Sequence, residues 1–329
     1  MILTRDNSHY PHKTCIDIDA NAPYLQLIAN LDGLPQDVRR FLSESVSLNS
    51  RRAYNSDLRR YFAWGGEVPA TPITVATYLA AHATTHSVST LQRWLATLSR
   101  AHAAIGHIDP TKLEPAKSTM RGIRRSRNEV SLIAAPLLRD ELFAALDVMG
   151  PSVRDKRDRA ILLIGFAGGF RRSELVSLDI SDVKFNRRGI LINIRKSKTD
   201  QVGVGRVLAV PVGRSRHCPV AALEDWLEVL NAQTGPIFRS LKRGGAVTDN
   251  RLSGEAVSLI VKERIAAIGA DPTCFSGHSL RAGFATSAAL AGLSSWKIRA
   301  QTGHKSDQML ARYIRSTELF DGNAAGAIL

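Results

Sequence analysis

The sequence predicts a mainly α, two-domain protein: an all-helical N-terminal domain followed by a larger α+β domain with a small antiparallel sheet. Three observations carry this. A chain of 329 residues is long for one domain. Apolar residues recur at helical spacing through most of it, and only two short stretches alternate with the period of a strand. At 44% hydrophobic and 22% charged the composition is globular, which excludes a disordered tail or a coiled coil.

Residues 1–33 show no sustained period and read as a flexible N-terminal arm. The segment 34–110 is helical. Tyr54, Leu58, Tyr61 and Phe62 lie one above another on a helix face behind Ser50 as the expected cap. Thr71-Pro72 opens the next helix with a cap and a proline at its first position. Leu91, Trp94, Leu95 and Leu98 repeat the spacing, Gly106 closes that helix, and Asp109-Pro110 ends the unit. Residues 111–132 are then expected to be a basic linker, with Lys112, Lys117, Arg121, Arg124, Arg125 and Arg127 against the single acid Glu114. Such a run is either a solvated face or a phosphate contact, and its place at a domain junction favours the phosphate.

The second domain spans 133–315. Leu138, Leu142 and Leu146 mark a helix, and the apolar run 160–170 a buried one, far short of the roughly 20 residues that cross a bilayer. No membrane is expected. Ile190, Ile192 and Ile194 alternate with polar residues, 207–212 is a second β-rich run, and the stretch 199–205 between them predicts a hairpin. The segments 219–230, 253–268 and 278–313 are helical again, broken at Gly269, Gly292 and Gly303. A tail, 316–329, carries Leu319 and Phe320 but is too short to form a core.

Lys and Arg number 44 against 30 Asp and Glu, a net charge of +14 that argues for a polyanion, nucleic acid first. Cys15, Cys218 and Cys274 are far apart and read as reduced thiols. There is no CxxC, HExxH or paired-carboxylate cluster, so neither metal nor cofactor is expected. The polar start of the chain, with no apolar signal core, places it in the cytoplasm.

The chemistry-bearing residues fall in short motifs. Ser276-Gly277-His278-Ser279-Leu280-Arg281 puts an imidazole and a guanidinium three residues apart, on one face of a helix. Thr302-Gly303-His304 and Ala311-Arg312-Tyr313-Ile314-Arg315 follow, and Gly169-Phe170-Arg171-Arg172-Ser173-Glu174-Leu175 supplies an arginine at a helix entry. Attack on a phosphodiester builds charge on its non-bridging oxygens, and arginine answers with a fork of donors that does not titrate. A phenol beside cations is an accessible nucleophile whose phosphate ester conserves the energy of the broken bond. An alkoxide leaves poorly and needs a proton donor, a task that suits a lysine.

This ordered set, together with Lys196-Ser197-Lys198-Thr199, resembles the tyrosine recombinase, or phage integrase, family, and within it most the Cre-like recombinases, over about residues 34–315. The resemblance implies a DNA clamp: a SAM-like core-binding domain at 34–110, the basic linker, a catalytic domain at 133–315, and a tail that docks on a neighbouring protomer. Residue by residue it makes Tyr313 the nucleophile, sets Arg171, His278, Arg281 and His304 around the scissile phosphate, and makes Lys198 the general acid. Glu174 becomes a supporting carboxylate. Arg172 competes with Arg171 and Lys196 with Lys198; Ser173-Glu174-Leu175 and the Lys-Thr pairing favour Arg171 and Lys198.

The activity implied is site-specific recombination through a 3′-phosphotyrosine and a Holliday junction, without metal or ATP. The implied partners are double-stranded DNA with inverted-repeat sites and three further copies of the chain, a homo-tetramer on two DNA sites associated with the nucleoid. A type IB topoisomerase or a telomere resolvase shares the cleavage chemistry, and an idle sequence-specific DNA-binding regulator would share only the binding. Base-reading stretches are expected at 87–100 and 242–262, with Arg93, Arg121, Arg124, Arg125, Lys242, Arg243 and Arg251 as DNA contacts.

Overall fold

In the computed structural model, which describes residues 35–127, 134–195 and 205–314, the chain divides into two units, 1–130 and 131–329. The arm 1–33, Lys196, Lys198 and the tail 316–329 lie outside the described residues.

The first unit is all helical: α1 (Gln36–Glu44), α2 (Leu48–Ala63), α3 (Pro72–Ala81), α4 (Val88–Ala104) and α5 (Ala116–Ser126). Thr71 caps α3 by accepting from the Thr74 amide at 3.1 Å, with Pro72 at the first helical position where its missing N–H costs nothing. The cap of α2 is Ser47, not Ser50; Ser50 is the residue whose amide donates to the Ser47 hydroxyl, because the helix starts one turn earlier than the apolar spacing suggests. Leu58, Tyr61, Tyr78, Leu91, Trp94 and Leu98 form the core. His102 is fully buried, and its Nδ1–H donates to the Leu98 carbonyl at 2.7 Å while Nε2 accepts from the Ala70 amide at 2.7 Å. Burial holds that imidazole below its usual range, in the neutral form these two bonds require.

The expected linker is corrected over 116–126. That stretch is α5, and Ala116, Met120 and Ile123 bury one face of it in the first core while Arg121 and Arg125 face water. The helix belongs to the unit because an apolar stripe of that spacing gains about 1.5–3 kcal/mol per large side chain when covered. Its charges sit on the opposite face.

The second unit contains α6 (Arg139–Asp147), α7 (Val153–Ala167), α8 (Arg172–Ser177), β1 (Val183–Asn186), β2 (Gly189–Ile194), β3 (Arg206–Pro211), α9 (Pro219–Leu230), β4 (Arg239–Leu241), β5 (Val247–Arg251), α10 (Gly254–Ala266), α11 (Ser279–Leu290), α12 (Ser295–Thr302) and α13 (Asp307–Ile314). The expected hairpin is β2–β3, with Ile190 opposite Val210 and Ile192 opposite Leu208 on the core face. β1 adds a third antiparallel strand, and β4–β5 forms a separate two-stranded sheet that the sequence reading did not anticipate. The buried α7 lies at the centre, and Trp226 of α9 anchors the second sheet by donating from Nε1 to the Ile237 carbonyl at 2.8 Å.

Asp158, fully buried on α7, accepts from Arg157 at 2.8 Å and from Arg264 of α10 at 2.6 Å, so the carboxylate is paired and the two helices are tied. A smaller cluster of Ala285, Ala288, Ile298 and Leu310 joins α11, α12 and α13. Among the described residues no helix is long and apolar enough to cross a membrane.

Candidate active site

The site is built at three chain breaks of the second unit. α7 stops at Gly168 and Arg171 starts α8, where Glu174 grips it twice: Oε2 accepts the Arg171 backbone N–H at 3.0 Å and Oε1 accepts Nη1 at 2.6 Å. Glu174 is only 1% exposed, so this carboxylate fixes the guanidinium and is closed to solvent itself. The neighbouring arginine goes elsewhere: Arg172 Nη1 donates to Ser258 Oγ of α10 at 2.7 Å and lies 3.6 Å from Glu255. The geometry therefore separates the two arginines that the sequence set side by side.

His278 starts α11 and Arg281 follows one turn on. Arg281 is 1% exposed, and its Nη1 donates to the Gly169 carbonyl at 2.7 Å and to the Thr302 carbonyl. One guanidinium thus ties the entrance of α8 to the end of α12. Gly283, two residues further along α11, meets the segment before α6: a Cβ there would sit 1.7 Å from the Leu137 carbonyl oxygen. The Leu137 amide in turn donates to the Ser279 carbonyl at 2.9 Å, strapping that segment across the start of α11.

α12 ends at Gly303, and His304 follows, 6% exposed. The Thr302 hydroxyl donates to the Ile298 carbonyl at 2.7 Å, so it must accept from His304 Nδ1 at 2.8 Å. In the neutral ring Nε2 is then the acceptor nitrogen. Burial first, then the cations Arg281 and Arg171, with His278 and Arg206 after them, push His304 down to about 3. His278 is lowered as well, by loss of solvent around the ring and by Arg281, Arg171 and Arg172. Both imidazoles are neutral near pH 7, and among the described residues the fixed positive charge of the site is that of guanidinia.

Arg171, Glu174, His278, Arg281 and His304 therefore come together, from three places in the sequence. Tyr313 lies on α13, which packs against α11 and α12 through Leu310. Lys198 belongs to the stretch between β2 and β3 that lies outside the described residues. One member was missed: Arg206, at the start of β3, reaches the same cluster and lies 3.7 Å from Glu174 Oε2. Nothing in its local sequence marks it.

The expected DNA contacts divide. Arg125, Lys242 and Arg243 are exposed, the last two in the tight turn between β4 and β5. Arg93 pairs with the buried Asp57 at 2.8 Å, holding α4 to α2, and Arg121 bonds Glu114 at 3.1 Å. Arg124 is exposed on α5. Arg251 is exposed, and its Nη1 donates to the Val176 carbonyl at 2.7 Å while its Nη2 pairs with Asp179, so the fork also fastens β5 to the end of α8. The stretch 242–262 is no single reading helix. It is a turn, a strand and then α10, whose Val257, Ile260 and Val261 are core.

Arginines and neutral histidines are thus gathered at one spot, with a tyrosine on the next helix. Residues 137–319 match the phage integrase family. An integrase/recombinase XerD homolog of Selenomonas ruminantium is 34% identical over 307 residues, 90% of each chain. A tyrosine recombinase of Synechococcus elongatus is 28% identical over 302 residues, 87% of this chain and 90% of the relative.

Among solved structures, the XerH site-specific recombinase in a post-cleavage complex with palindromic difH has a TM-score of 0.59 at 17% identity, covering 93% of this chain and 88% of that one. A lambda integrase dimer on a COC′ core site gives 0.57 at 20%, covering 88% and 92%. At those identities the structures show the shared fold. This chain belongs to the phage integrase family, and its class of enzyme is the tyrosine-type site-specific recombinase. The relatives named here are of the Xer kind and the general tyrosine-recombinase kind, so the Cre-like placement within the family goes further than they do.

Proposed function

We propose that this recombinase cuts and rejoins double-stranded DNA at an inverted-repeat site, with Tyr313 as nucleophile. The observation that supports it is the convergence of Arg171, Arg281, His278 and His304 on one spot from α8, α11 and the end of α12. The two guanidinia clamp the non-bridging oxygens of the scissile phosphate and stabilise the charge that grows there. The Tyr313 oxygen bonds to phosphorus as its proton passes to water; His304 Nε2, held down to about 3, accepts a hydrogen bond from the phenol but does not keep the proton. The bond to the deoxyribose 5′ oxygen breaks, and Lys198 supplies the proton that oxygen needs. The product is a 3′-phosphotyrosyl bond and a free 5′ hydroxyl. Attack by a 5′ hydroxyl from the partner duplex reverses the step, and one pair of strand exchanges gives a Holliday junction.

Four protomers on two sites would perform this in the cytoplasm, on nucleoid DNA, with each unit making its own contacts to the duplex. Arg124, Arg125, Lys242 and Arg243 are the contacts kept for phosphates or bases; Arg93, Arg121 and Arg251 could reach DNA only by sharing their carboxylate partners. Residues 316–329 dock on a neighbouring protomer. The positive charge of the site comes from the side chains of Arg171, Arg281 and Lys198, so the reaction is expected to run in EDTA. Incubating the protein with fragmented DNA from its own gene neighbourhood, trapping with SDS and sequencing what stays attached tests the reading. Adducts at one inverted-repeat site are expected. Specific binding without any adduct contradicts it and favours an idle DNA-binding protein.

A further inference from the structure

Arg206 opens β3, at the edge of the three-stranded sheet, yet its guanidinium leaves the sheet for the end of α12. Nη1 donates to the Gln301 carbonyl at 2.6 Å and to the Ala300 carbonyl at 3.3 Å, and Nη2 to the Thr302 carbonyl at 3.4 Å. These are carbonyls that a helix end leaves without partners, at the negative pole of its dipole. The approach depends on Gly303: it takes a left-handed φ of +69°, and a Cβ there would lie 3.1 Å from Arg206 Cζ. The same Nη2 lies 3.7 Å from Oε2 of Glu174, whose two oxygens already hold Arg171.

A helix cap alone would need only the carbonyls. Arg206 has in addition the carboxylate that sets Arg171, and it caps the turn from which His304 hangs through Thr302. Both its Nη donors are turned toward protein carbonyls. We propose that Arg206 is a positioning residue of the recombination site, bridging the end of α12 to Glu174 so that His304 and Arg171 keep one fixed separation. The inference rests on the reading that those two residues flank the scissile phosphate. Catalytic groups displaced by about 1 Å can lose about 10²-fold in rate, so the bridge has kinetic weight.

The test is single-turnover cleavage of a duplex carrying the site recovered by adduct sequencing, with Arg206→Ala, Arg206→Lys, Glu174→Gln and the Arg206→Ala/Glu174→Gln double variant. Positioning predicts a cleavage rate constant lower by about 10- to 100-fold in Arg206→Ala, with burst amplitude and DNA affinity within about threefold of wild type. Arg206→Lys keeps the charge but not the fork and is expected to recover little of the rate. The double variant should be scarcely slower than the slower single one, because both cut the same bridge.

A merely structural role would lower the burst amplitude and the melting temperature and leave the rate constant at wild type. That result, or fully additive losses in the double variant, overturns the proposal. Should Arg206→Ala fail to fold, Arg206→Lys answers the same question, a wild-type rate constant overturning the proposal. Tyr313→Phe in the same assay separates the two levels. Adduct persisting in it overturns the underlying reading, whereas its loss beside an unimpaired Arg206→Ala overturns only the inference about Arg206.

Discussion

His304 illustrates how much one hydroxyl can decide. Thr302 has a single proton and spends it on Ile298, so the tautomer of the neighbouring imidazole follows without further choice. A ring enclosed by protein and facing guanidinia cannot readily become a third cation, and it is held down to about 3. Nitrogen-15 NMR of histidine-labelled protein, with His304→Gln for assignment, should find this ring protonated at Nδ1, bare at Nε2 and unchanged from pH 7.5 to 5. Titration near 6.5, the ordinary value, would contradict the neutral ring assigned to it. Arg171 stood out in the sequence at a helix entry and Glu174 through the family resemblance; the structure joins them because a carboxylate three residues into a helix reaches back to the first backbone N–H. Arg206 did not stand out. Its helix-end partners are 94 to 96 residues away in the chain, and no local spacing encodes such a contact.

At the scale of elements, α5 is the sharpest lesson. Ala116, Met120 and Ile123 stand at helical spacing in plain view, but four cations on the other faces, with Lys112 and Arg127 beyond its ends, drew the stretch toward a linker. Charge says where the solvent is, and the interrupted apolar residues say that a core lies opposite. Met120→Ala is expected to destabilise the first unit by about 2–5 kcal/mol, measured by urea unfolding, as for other buried truncations. A change under about 0.5 kcal/mol, the size typical of exposed linker positions, would return the stretch to a connector. The hairpin β2–β3 was legible because its isoleucines alternate cleanly. β4–β5 was not, since β4 has three residues and β5 buries no complete face, leaving no period to read.

The whole molecule holds several histidines neutral: His102, His217, His278 and His304 are each lowered, chiefly by burial. In the unfolded chain they bind protons near 6.5. The unfolded state therefore takes up more protons than the folded one as pH falls below 6.5, and stability drops in that window. Asp109, Asp155 and Asp179 are lowered as well, but their contribution is lost only on falling below the ordinary carboxylate range near 4. Urea midpoints should accordingly be lower at pH 5 than at pH 7.5, and equal midpoints would contradict the neutral histidines. Removal of residues 316–329 should leave DNA binding intact but impair synapsis or strand exchange. Unchanged recombination by the shortened chain would remove the tail from the account.

The central claim is that the phenol of Tyr313 carries the cut strand, and mass spectrometry of the covalent adduct tests it most directly. Protein trapped on its recovered site in EDTA is digested with nuclease and trypsin, and the peptide bearing the residual nucleotide is sequenced, beside a Tyr313→Phe control that still binds the site. The account predicts one modified peptide, with the nucleotide on Tyr313, and none from the control. A nucleotide on any other residue, or an adduct that survives in the phenylalanine variant, would contradict it.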